Sequence, residues 1–352
     1  MNKAGNNPEF DQVRAIRWNG DHLSLLDQRL LPQREEYIEI HTVEETIKAI
    51  RDMVVRGAPA IGITAAFGVV LAAREAWATD QENWKNLVTY KLQQLGEARP
   101  TAVNLRWAIE YMQKRIERCQ SDPVPYLLEE AKAVHAEDIE ANRRMGDFGA
   151  VFLKEARAVL THCNTGSLAT GGYGTALGVI RSAYARQYLQ SVYASETRPW
   201  LQGSRLTVWE LQKDGIPATL VADSAGAHLM KSGKVAWVIV GADRIAANGD
   251  VANKIGTYAH AVNARHHGIG FMVAAPTSTI DPRTASGEDI EIEERNGTEL
   301  LHVAGQNIAP ENTLAYNPVF DVTPAELVDV LVTEKGAIER PDRAKIAALL
   351  GK

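Results

Sequence analysis

The stretch VAWVIVGADR, residues 235–244, indicates the fold class. Its first part is apolar almost without a break, which is typical of a parallel strand covered on both faces. Small residues and then Asp243 follow, as expected where a strand ends in a loop. Comparable apolar runs, separated by helical patterns, occur at 158–162, 189–193, 218–221 and 270–274. This alternation predicts a parallel, doubly wound, Rossmann-like sheet, and ligands bind such sheets beyond the carboxyl ends of the strands.

The beginning of the chain has a different pattern. Residues 14–41 alternate apolar and polar side chains around the turn Asn19-Gly20-Asp21, which predicts a small hairpin and a further strand at 37–40. Thr42 with Glu45 three residues later is the pattern of a capping box, so a helix is expected to begin here.

Helical patterns then continue to about residue 146. Pro100-Thr101 and the pair Pro123 and Pro125 mark two helix starts, because proline is favoured in the first turn. We therefore expect an α/β protein of two domains. The first is a mainly helical N-terminal domain with a small antiparallel β element, 1–146, and the second is a Rossmann-like catalytic α/β domain, 147–352.

The composition of the chain limits the kinds of partner that we expect the protein to bind. The net charge is −6 and the pI is about 5.9, and no run of basic residues offers a patch for nucleic acid or an anionic membrane. The apolar run 58–73 falls short of the ~20 residues that cross a bilayer, so we expect a buried helix there. The first residues lack the apolar core of a signal peptide. Two cysteines, Cys119 and Cys163, cannot form a disulfide framework, and a cytoplasmic protein is expected.

Cys163 is the first candidate for chemistry. It follows the predicted strand 158–162, and the glycine-rich residues 171–178 then lead into a helix. A thiol near a helix N-terminus is stabilised as thiolate, and glycines let backbone N–H groups approach an oxyanion or a phosphate. The alternative is a buried cysteine that only packs.

Asp243 and Lys254 are the second and third candidates. Asp243 follows strand 235–240 and so is expected at the same edge of the sheet as Cys163, where partial desolvation keeps a carboxyl protonated near neutral pH. Lys254 falls in the first turn of a helix predicted over 252–266, where a lysine opposes the helix dipole unless an anion binds. The alternative for Asp243 is an aspartate that pairs with Arg244 or caps a turn, and the alternative for Lys254 is a solvated surface lysine.

Two arginines could bind an anion. Arg56 precedes Gly57-Ala58-Pro59, where free N–H groups begin a helix, and Arg99 precedes Pro100. Arginine binds phosphate through two parallel hydrogen bonds. Taken alone, each arginine is more typical of a surface ion-pair residue.

Other site types are less well supported. Gly172, Gly174 and Gly178, with Glu196 after the next strand, resemble a dinucleotide fingerprint, but the first glycine lies too far past the strand end. No histidine pair has the spacing of metal ligands. We expect neither metal nor organic cofactor.

Taken together, several motifs resemble one family, the methylthioribose-1-phosphate isomerases of methionine salvage. The resemblance extends from about residue 12 to 340. Its motifs are RGAPAIG at 56–62, RPTAVNL at 99–105, THCNTG at 161–166, ETRP at 196–199 with Gln202-Gly203, GADR at 241–244, NGD at 248–250, NKIGT at 253–257, YNP at 316–318 and Phe320-Asp321.

The resemblance implies a function and a site. It implies an aldose–ketose isomerase, an intramolecular oxidoreductase of methionine biosynthesis, that acts as a homodimer on a small sugar phosphate. Cys163 and Asp243 match the family's catalytic positions. The substrate-binding positions would be Arg56, Gly57, Ala58, Arg99, Gln202, Asn253 and Lys254.

The same fold also serves ribose-1,5-bisphosphate isomerase and the non-catalytic regulatory subunits of a translation-initiation exchange factor. Regulatory subunits have no need of a paired cysteine and aspartate, so both residues together favour an enzyme. As a hypothesis, protonated Asp243 donates to the ring oxygen. Cys163 then acts at C1/C2 as a base or by stabilising charge, and the cationic side chains of Arg56, Arg99 and Lys254 neutralise the phosphate.

Overall fold

A computed structural model describes residues 10–99, 102–303 and 305–351. Its first half is mainly helical around a small antiparallel sheet in the order β1-β2-β3. The elements are β1 (Ile16–Asn19), β2 (His22–Leu26), β3 (Tyr37–Ile40), α1 (Val43–Arg51), α2 (Ala58–Thr79), α3 (Trp84–Gly96), α4 (Val103–Ile116) and α5 (Val124–Ala150).

Local signals in this half are confirmed. β1 and β2 pair across the Asn19–His22 turn, and the Thr42 side chain accepts from the amide of Glu45, whose carboxylate accepts from the amide of Thr42. The start of the helix predicted at Pro100-Thr101 lies outside the described residues, and α4 is described from Val103. Proline stands in the first turn of both α2 and α5.

Helix α2 is longer than the apolar run that predicted it. It has 22 residues, and its length and apolar composition alone would allow a membrane span. However, 83% of its most apolar window is buried against the rest of the protein. A helix that is apolar all round and packed inside protein is a core helix. Its N-terminus at Ala58 opens towards the second half of the molecule.

The second half alternates strands and helices as predicted. Its elements are β4 (Arg157–Thr161), α6 (Ala176–Ala185), β5 (Leu189–Ser195), α7 (Val208–Lys213), β6 (Ala218–Val221), α8 (Gly226–Lys231), β7 (Trp237–Val240), β8 (Arg244–Ala246), β9 (Val251–Lys254), α9 (Thr257–His267), β10 (Gly270–Ala274), β11 (Ile280–Asp281), α10 (Thr298–Leu301), β12 (His302–Val303), β13 (Gln306–Asn307), β14 (Phe320–Thr323), β15 (Val330–Thr333), β16 (Gly336–Glu339) and α11 (Arg343–Leu349).

The main sheet has the order β16-β15-β10-β7-β4-β5-β6. All neighbours are parallel except β15 and β16, which pair antiparallel at one edge. Successive side chains of a strand point to opposite faces. In β7, Ile239 packs in the core beneath α6, whereas Val238 and Val240 pack in the core beneath α8 and α9. Helices therefore cover both faces, and the predicted doubly wound α/β class is confirmed.

One helix prediction was wrong. Residues 251–254 form strand β9 of a smaller sheet, β11-β8-β9-β14, and the helix begins only at Thr257. Asn248-Gly249-Asp250 turns the chain back from β8, so β9 pairs antiparallel with β8 on one side and β14 on the other. All four residues of β9 are buried, and pairing with two neighbouring strands makes this segment a strand rather than the start of the predicted helix.

The predicted boundary between domains, at 146/147, falls within α5, which continues to Ala150. This helix packs on α2 of the first half and on α6 of the second. The division into 1–146 and 147–352 stays a prediction.

Candidate active site

One cavity brings the predicted residues together. It has a volume of about 120 Å³ and lies between the N-terminus of α2 and the carboxyl-terminal edge of the main sheet. The residues that line it include Arg56, Gly57, Ala58, Arg99, Cys163, Gln202, Asp243, Asn253 and Lys254. Residues that are distant in sequence meet here because parallel strands end at a common edge.

Cys163 lies directly beyond β4 and is buried. Its φ is +63°, a left-handed conformation that is uncommon for a residue with a side chain. Two threonines hold it there. The Cys163 amide donates to Thr197 Oγ1 at 2.9 Å, and its carbonyl accepts from Thr207 Oγ1 at 2.6 Å. The backbone of Cys163 is thus fixed independently of its thiol, which is left to face the cavity.

The glycine-rich residues 171–178 lead from the loop after Cys163 into α6, as predicted. The amides of Thr175 and Leu177, at the start of α6, both donate to the carbonyl of Thr165. These donors close the loop on itself. Thr175, at the start of α6, lines the cavity, and so do Gly57 and Ala58 at the start of α2. The effect of the α6 N-terminus on the Cys163 thiol stays a prediction.

Asp243 stands just past β7 at the cavity wall. Its amide donates to the carbonyl of Ala252 at 2.9 Å, which ties it to β9. Burial raises the pKa of the Asp243 carboxyl, while the positive charges of Lys254, Arg56 and Arg99 oppose that rise. The group therefore holds its proton to a higher pH than a solvated aspartate does, as the sequence predicted.

Lys254 is buried at the end of β9 rather than exposed in a helix. Its Nζ donates to the carbonyl of Val319 at 2.8 Å and lies 4.5 Å from the centre of the Phe320 ring. Burial lowers the pKa of Lys254, and negative charge at Cys163 and Asp243 opposes that shift. The cation thus lies within the electrostatic reach of both candidate catalytic groups. The solvated-lysine alternative is wrong.

Two amide side chains complete the same wall. Asn253, beside Lys254, donates from Nδ2 to Thr257 Oγ1 at 2.9 Å. Gln202 is buried, and among the described residues its Oε1 has no hydrogen-bond partner. The hydroxyl of Thr165, which also lines the cavity, is unpartnered in the same sense. Buried polar atoms of this kind cost free energy unless a ligand or water satisfies them.

Arg56 is held by a residue that the sequence did not single out as functional. Its Nη1 donates to Asn164 Oδ1 at 2.7 Å and its Nη2 to the Asn164 carbonyl at 2.8 Å. Asn164 in turn donates to buried Glu210 at 2.9 Å. The sequence did offer one hint of a buried ionic network: α6, ALGVIRSAYA, contains a single charged residue, Arg181, which pairs with Glu210.

Arg99 lies across the cavity with a carboxylate partner. Its Nη2 is 3.4 Å from Glu293 Oε2, and Glu293 also accepts from Arg295 Nε at 2.7 Å. Burial acts to raise the pKa of Glu293, but the hydrogen bond and charge of Arg295, followed by Arg99, lower it overall. Arg99 thus supplies a positive charge to the cavity. Its ion pair with Glu293 is long, so an anionic ligand can replace Glu293 as its partner.

The described residues show no evident metal-binding site. Within the described ranges, no three His, Cys, Asp or Glu side chains are grouped so as to hold an ion. Both cysteines are free thiols. The expectation that the reaction needs no metal or cofactor stays a prediction.

Comparison with known proteins assigns the family. A family model described as the initiation factor 2 subunit family matches residues 54–340. A methylthioribose-1-phosphate isomerase of Thioalkalivibrio sulfidiphilus is 61% identical over 341 residues, which cover 97% of this chain and 98% of that protein. The chain belongs to the methylthioribose-1-phosphate isomerase branch of this family.

Solved structures of the family agree in fold. The 5-methylthioribose 1-phosphate isomerase of Pyrococcus horikoshii is similar with a TM-score of 0.91 and 42% identity, over 100% of this chain and 99% of that one. A chain from A. fulgidus described as translation initiation factor eIF-2B, subunit delta, is similar with a TM-score of 0.86 and 45% identity, over 97% and 100%. The structural relatives therefore include a protein described as an isomerase and one described as an initiation-factor subunit.

Proposed function

We propose that the protein converts 5-methylthioribose 1-phosphate to 5-methylthioribulose 1-phosphate, an aldose–ketose isomerisation of methionine salvage. The observation that carries this proposal is the composition of one cavity. A thiol at Cys163 and a carboxyl at Asp243 with a raised pKa share it with the cations Arg56, Arg99 and Lys254. The name of the 61% identical relative is that of this enzyme.

The chemistry explains why a proton donor is needed. An aldose with phosphate on C1 cannot reach a free aldehyde by simple ring opening, so the ring oxygen must be protonated as its bond to C1 breaks. Asp243 fits this role because burial raises the pKa of its carboxyl, which therefore holds its proton to a higher pH than a solvated aspartate does. Hydrogen must then move from C2 to C1, and the ketone forms at C2.

Cys163 fits a role at C1 and C2, as a base that takes the C2 proton or as a group that stabilises charge while hydride moves directly. The two routes differ in a measurable way. Proton transfer through an enol phosphate exchanges hydrogen with solvent, so the product formed in heavy water would carry deuterium at C1. Direct hydride transfer would leave C1 free of solvent deuterium.

The phosphate is assigned to the cationic side of the cavity. Arg56 and Arg99 supply guanidinium groups, Lys254 supplies an ammonium, and the N-terminus of α2 presents the amides of Gly57 and Ala58. Gln202 and Asn253 are proposed to bind sugar hydroxyls. The unpartnered Oε1 of Gln202 supports that assignment, since a hydroxyl would satisfy it.

We also propose that the enzyme works as a cytoplasmic homodimer without metal or organic cofactor, and that it binds neither nucleic acid nor membrane. Free thiols at Cys119 and Cys163 fit a reducing compartment, and a net charge of −6 disfavours nucleic acid. Exposed apolar side chains on α9, Tyr258 and Val262, offer surface for a second subunit. Light scattering on the purified protein measures the subunit number.

The decisive test is isomerisation of methylthioribose 1-phosphate by metal-free purified protein, beside Cys163→Ser. Ketose formation by the wild type that collapses in the variant supports both the function and the role of Cys163. Equal turnover in both retains the isomerase and reduces Cys163 to packing. No turnover by folded protein, with other ribose phosphates also inert, would favour the regulatory-subunit alternative.

A further inference from the structure

We propose that Glu210 is a positioning residue for the phosphate site. It lies outside the cavity, and it acts by fixing the orientation of the Asn164 side chain, which in turn aims the Arg56 guanidinium at the ligand. This inference rests on the proposed function only in that Arg56 is taken to bind the substrate phosphate.

The Glu210 carboxylate is fully buried in α7 and has four donors around it. Its Oε1 accepts from Asn164 Nδ2 at 2.9 Å and from the Leu168 amide at 3.1 Å. Its Oε2 accepts from the Ser167 amide at 2.7 Å and from Arg181 Nη2 at 2.9 Å. Because every partner is a donor, this position calls for a group that only accepts, which is a carboxylate.

The orientation of the Asn164 amide follows from this arrangement. An asparagine side chain can be turned so that its oxygen and nitrogen exchange places. With Nδ2 drawn to Glu210, and to Thr207 Oγ1 at 3.3 Å, the Oδ1 atom must face Arg56 Nη1 at 2.7 Å. In the opposite orientation an NH₂ group would face the guanidinium, donor against donor. Glu210 therefore decides whether Asn164 attracts or repels Arg56.

Glu210 also sets the path of the loop that carries the catalytic thiol. It binds the amides of Ser167 and Leu168, and a Cβ on Gly166 would collide with its carboxylate. The Glu210 side chain thereby holds the loop from Cys163 to Leu168 in place. Cys163 begins this loop and Arg56 is bonded to Asn164 within it, so Glu210 helps to position both residues.

A purely structural ion pair would behave differently, and the chain provides the comparison. Arg181 has a second buried carboxylate partner, Asp214, which accepts from Arg181 Nε at 2.7 Å and from the Asp11 amide at 2.9 Å. Neither of these hydrogen bonds of Asp214 involves Asn164. Asp214→Asn therefore disturbs the same buried arginine without disturbing the Asn164 amide.

The test is a reversal of hydrogen-bond polarity. Glu210→Gln alone opposes two amides, and Asn164→Asp alone opposes two carboxylates. In the double variant, the introduced glutamine amide donates to the introduced aspartate, whose second oxygen still faces Arg56. The conflict between the two side chains is thereby removed, and only the one between the glutamine NH₂ group and the Leu168 amide remains. We expect each single substitution to raise KM by ~10-fold or more with a smaller change in kcat, because binding to Arg56 is lost in ground state and transition state alike.

The double variant should recover at least half of the loss on a logarithmic scale, and Asp214→Asn should lower Tm while leaving KM unchanged. The proposal is overturned if the double variant is as impaired as the two single variants combined, or if KM follows Tm across all four proteins. If Glu210→Gln fails to fold, Asn164→Ala is measured instead. An unchanged KM in Asn164→Ala would also overturn the proposal.

A failure of the proposed function is recognised separately, by the absence of turnover in the wild type. The same proteins are then compared by calorimetric titration with inorganic phosphate, which probes Arg56 without any reaction. Weaker phosphate binding in the single variants with recovery in the double variant sustains the positioning role of Glu210. Equal affinity in all of them overturns it.

Discussion

His162 Nε2 lies 2.7 Å from the carbonyl oxygen of Ile255, and this bond joins the residue before Cys163 to the residue after Lys254. The other ring nitrogen, Nδ1, is 2.6 Å from Ser195 Oγ at the end of β5. A neutral imidazole can donate from Nε2 and accept at Nδ1, which satisfies both contacts. The ring of His260 packs edge-on against it, with 5.0 Å between ring centres.

This histidine pair predicts a loss of stability in mild acid. Burial lowers the pKa of His162 to about 4. Burial, together with the electrostatic effect of His162, lowers the pKa of His260 to about 3. Below about pH 6.5 the unfolded chain binds protons that the folded protein does not, so the free energy of unfolding falls as pH falls towards 4. Each group contributes a slope of ~1.4 kcal/mol per pH unit in that window.

Urea unfolding of wild type and His260→Gln between about pH 7 and pH 5 checks this. The variant should show a smaller slope by ~1.4 kcal/mol per unit. Asp138 and Asp321, whose pKa values burial raises to about 6, act in the opposite sense, but they cancel in the comparison. His266→Gln, at an exposed site on the same helix, is the control, and an equal effect there would contradict the assignment.

Asp243→Asn should abolish turnover while the substrate still binds. The backbone bond from residue 243 to Ala252 is unaffected, so the fold at the site is kept. Loss of a general acid costs ~10²–10⁴-fold in kcat. Steady-state kinetics and equilibrium binding measure the two quantities. Glu291→Gln is the control, because it changes another carboxylate on the cavity wall, and it should retain turnover. Turnover retained by Asp243→Asn would show that Asp243 is not the acid.

Local sequence signals predicted most of the elements correctly. The capping box at Thr42 and the hairpin turn at Gly20 both depend on neighbours within a few residues, and both are found. The strand runs of the second half were equally clear. The exception was 251–254, where the start of a helix was predicted and the chain instead forms a strand fixed by pairing to β8 and β14.

The candidate residues could be assigned to one edge of the sheet, but the bonds that orient them could not. Glu210 and Asn164 are 46 positions apart, and Arg56 is 108 positions from Asn164. Such contacts form only when the chain has folded, and no periodicity encodes them. The left-handed backbone of Cys163 belongs to the same class, because it depends on hydroxyls from Thr197 and Thr207.

Gly57→Ala should destabilise the protein and weaken substrate binding together. Gly57 has a φ of +92°, and an added Cβ would lie 2.6–2.7 Å from Ala169, including its backbone. Left-handed strain and overpacking each cost ~1–3 kcal/mol, and the amides at the start of α2 would shift. Denaturant unfolding and KM measure the two effects. Gly20→Ala is the matched control, since φ is +65° but nothing lies within 4 Å, and a comparable loss there would exclude the steric cause.

Lys254→Met should move the alkaline limb of the pH–rate profile to higher pH. Lys254 is the foremost positive charge that opposes the raised pKa of Asp243, so its removal lets that pKa rise further. An acid catalyst is lost as pH rises through its pKa, and the limb must therefore shift upward even though overall kcat/KM falls with the lost phosphate cation. Lys213→Met, at an exposed lysine outside the cavity, should leave the limb in place. A limb that stays fixed or moves to lower pH in Lys254→Met would show that Asp243 is not the group being titrated.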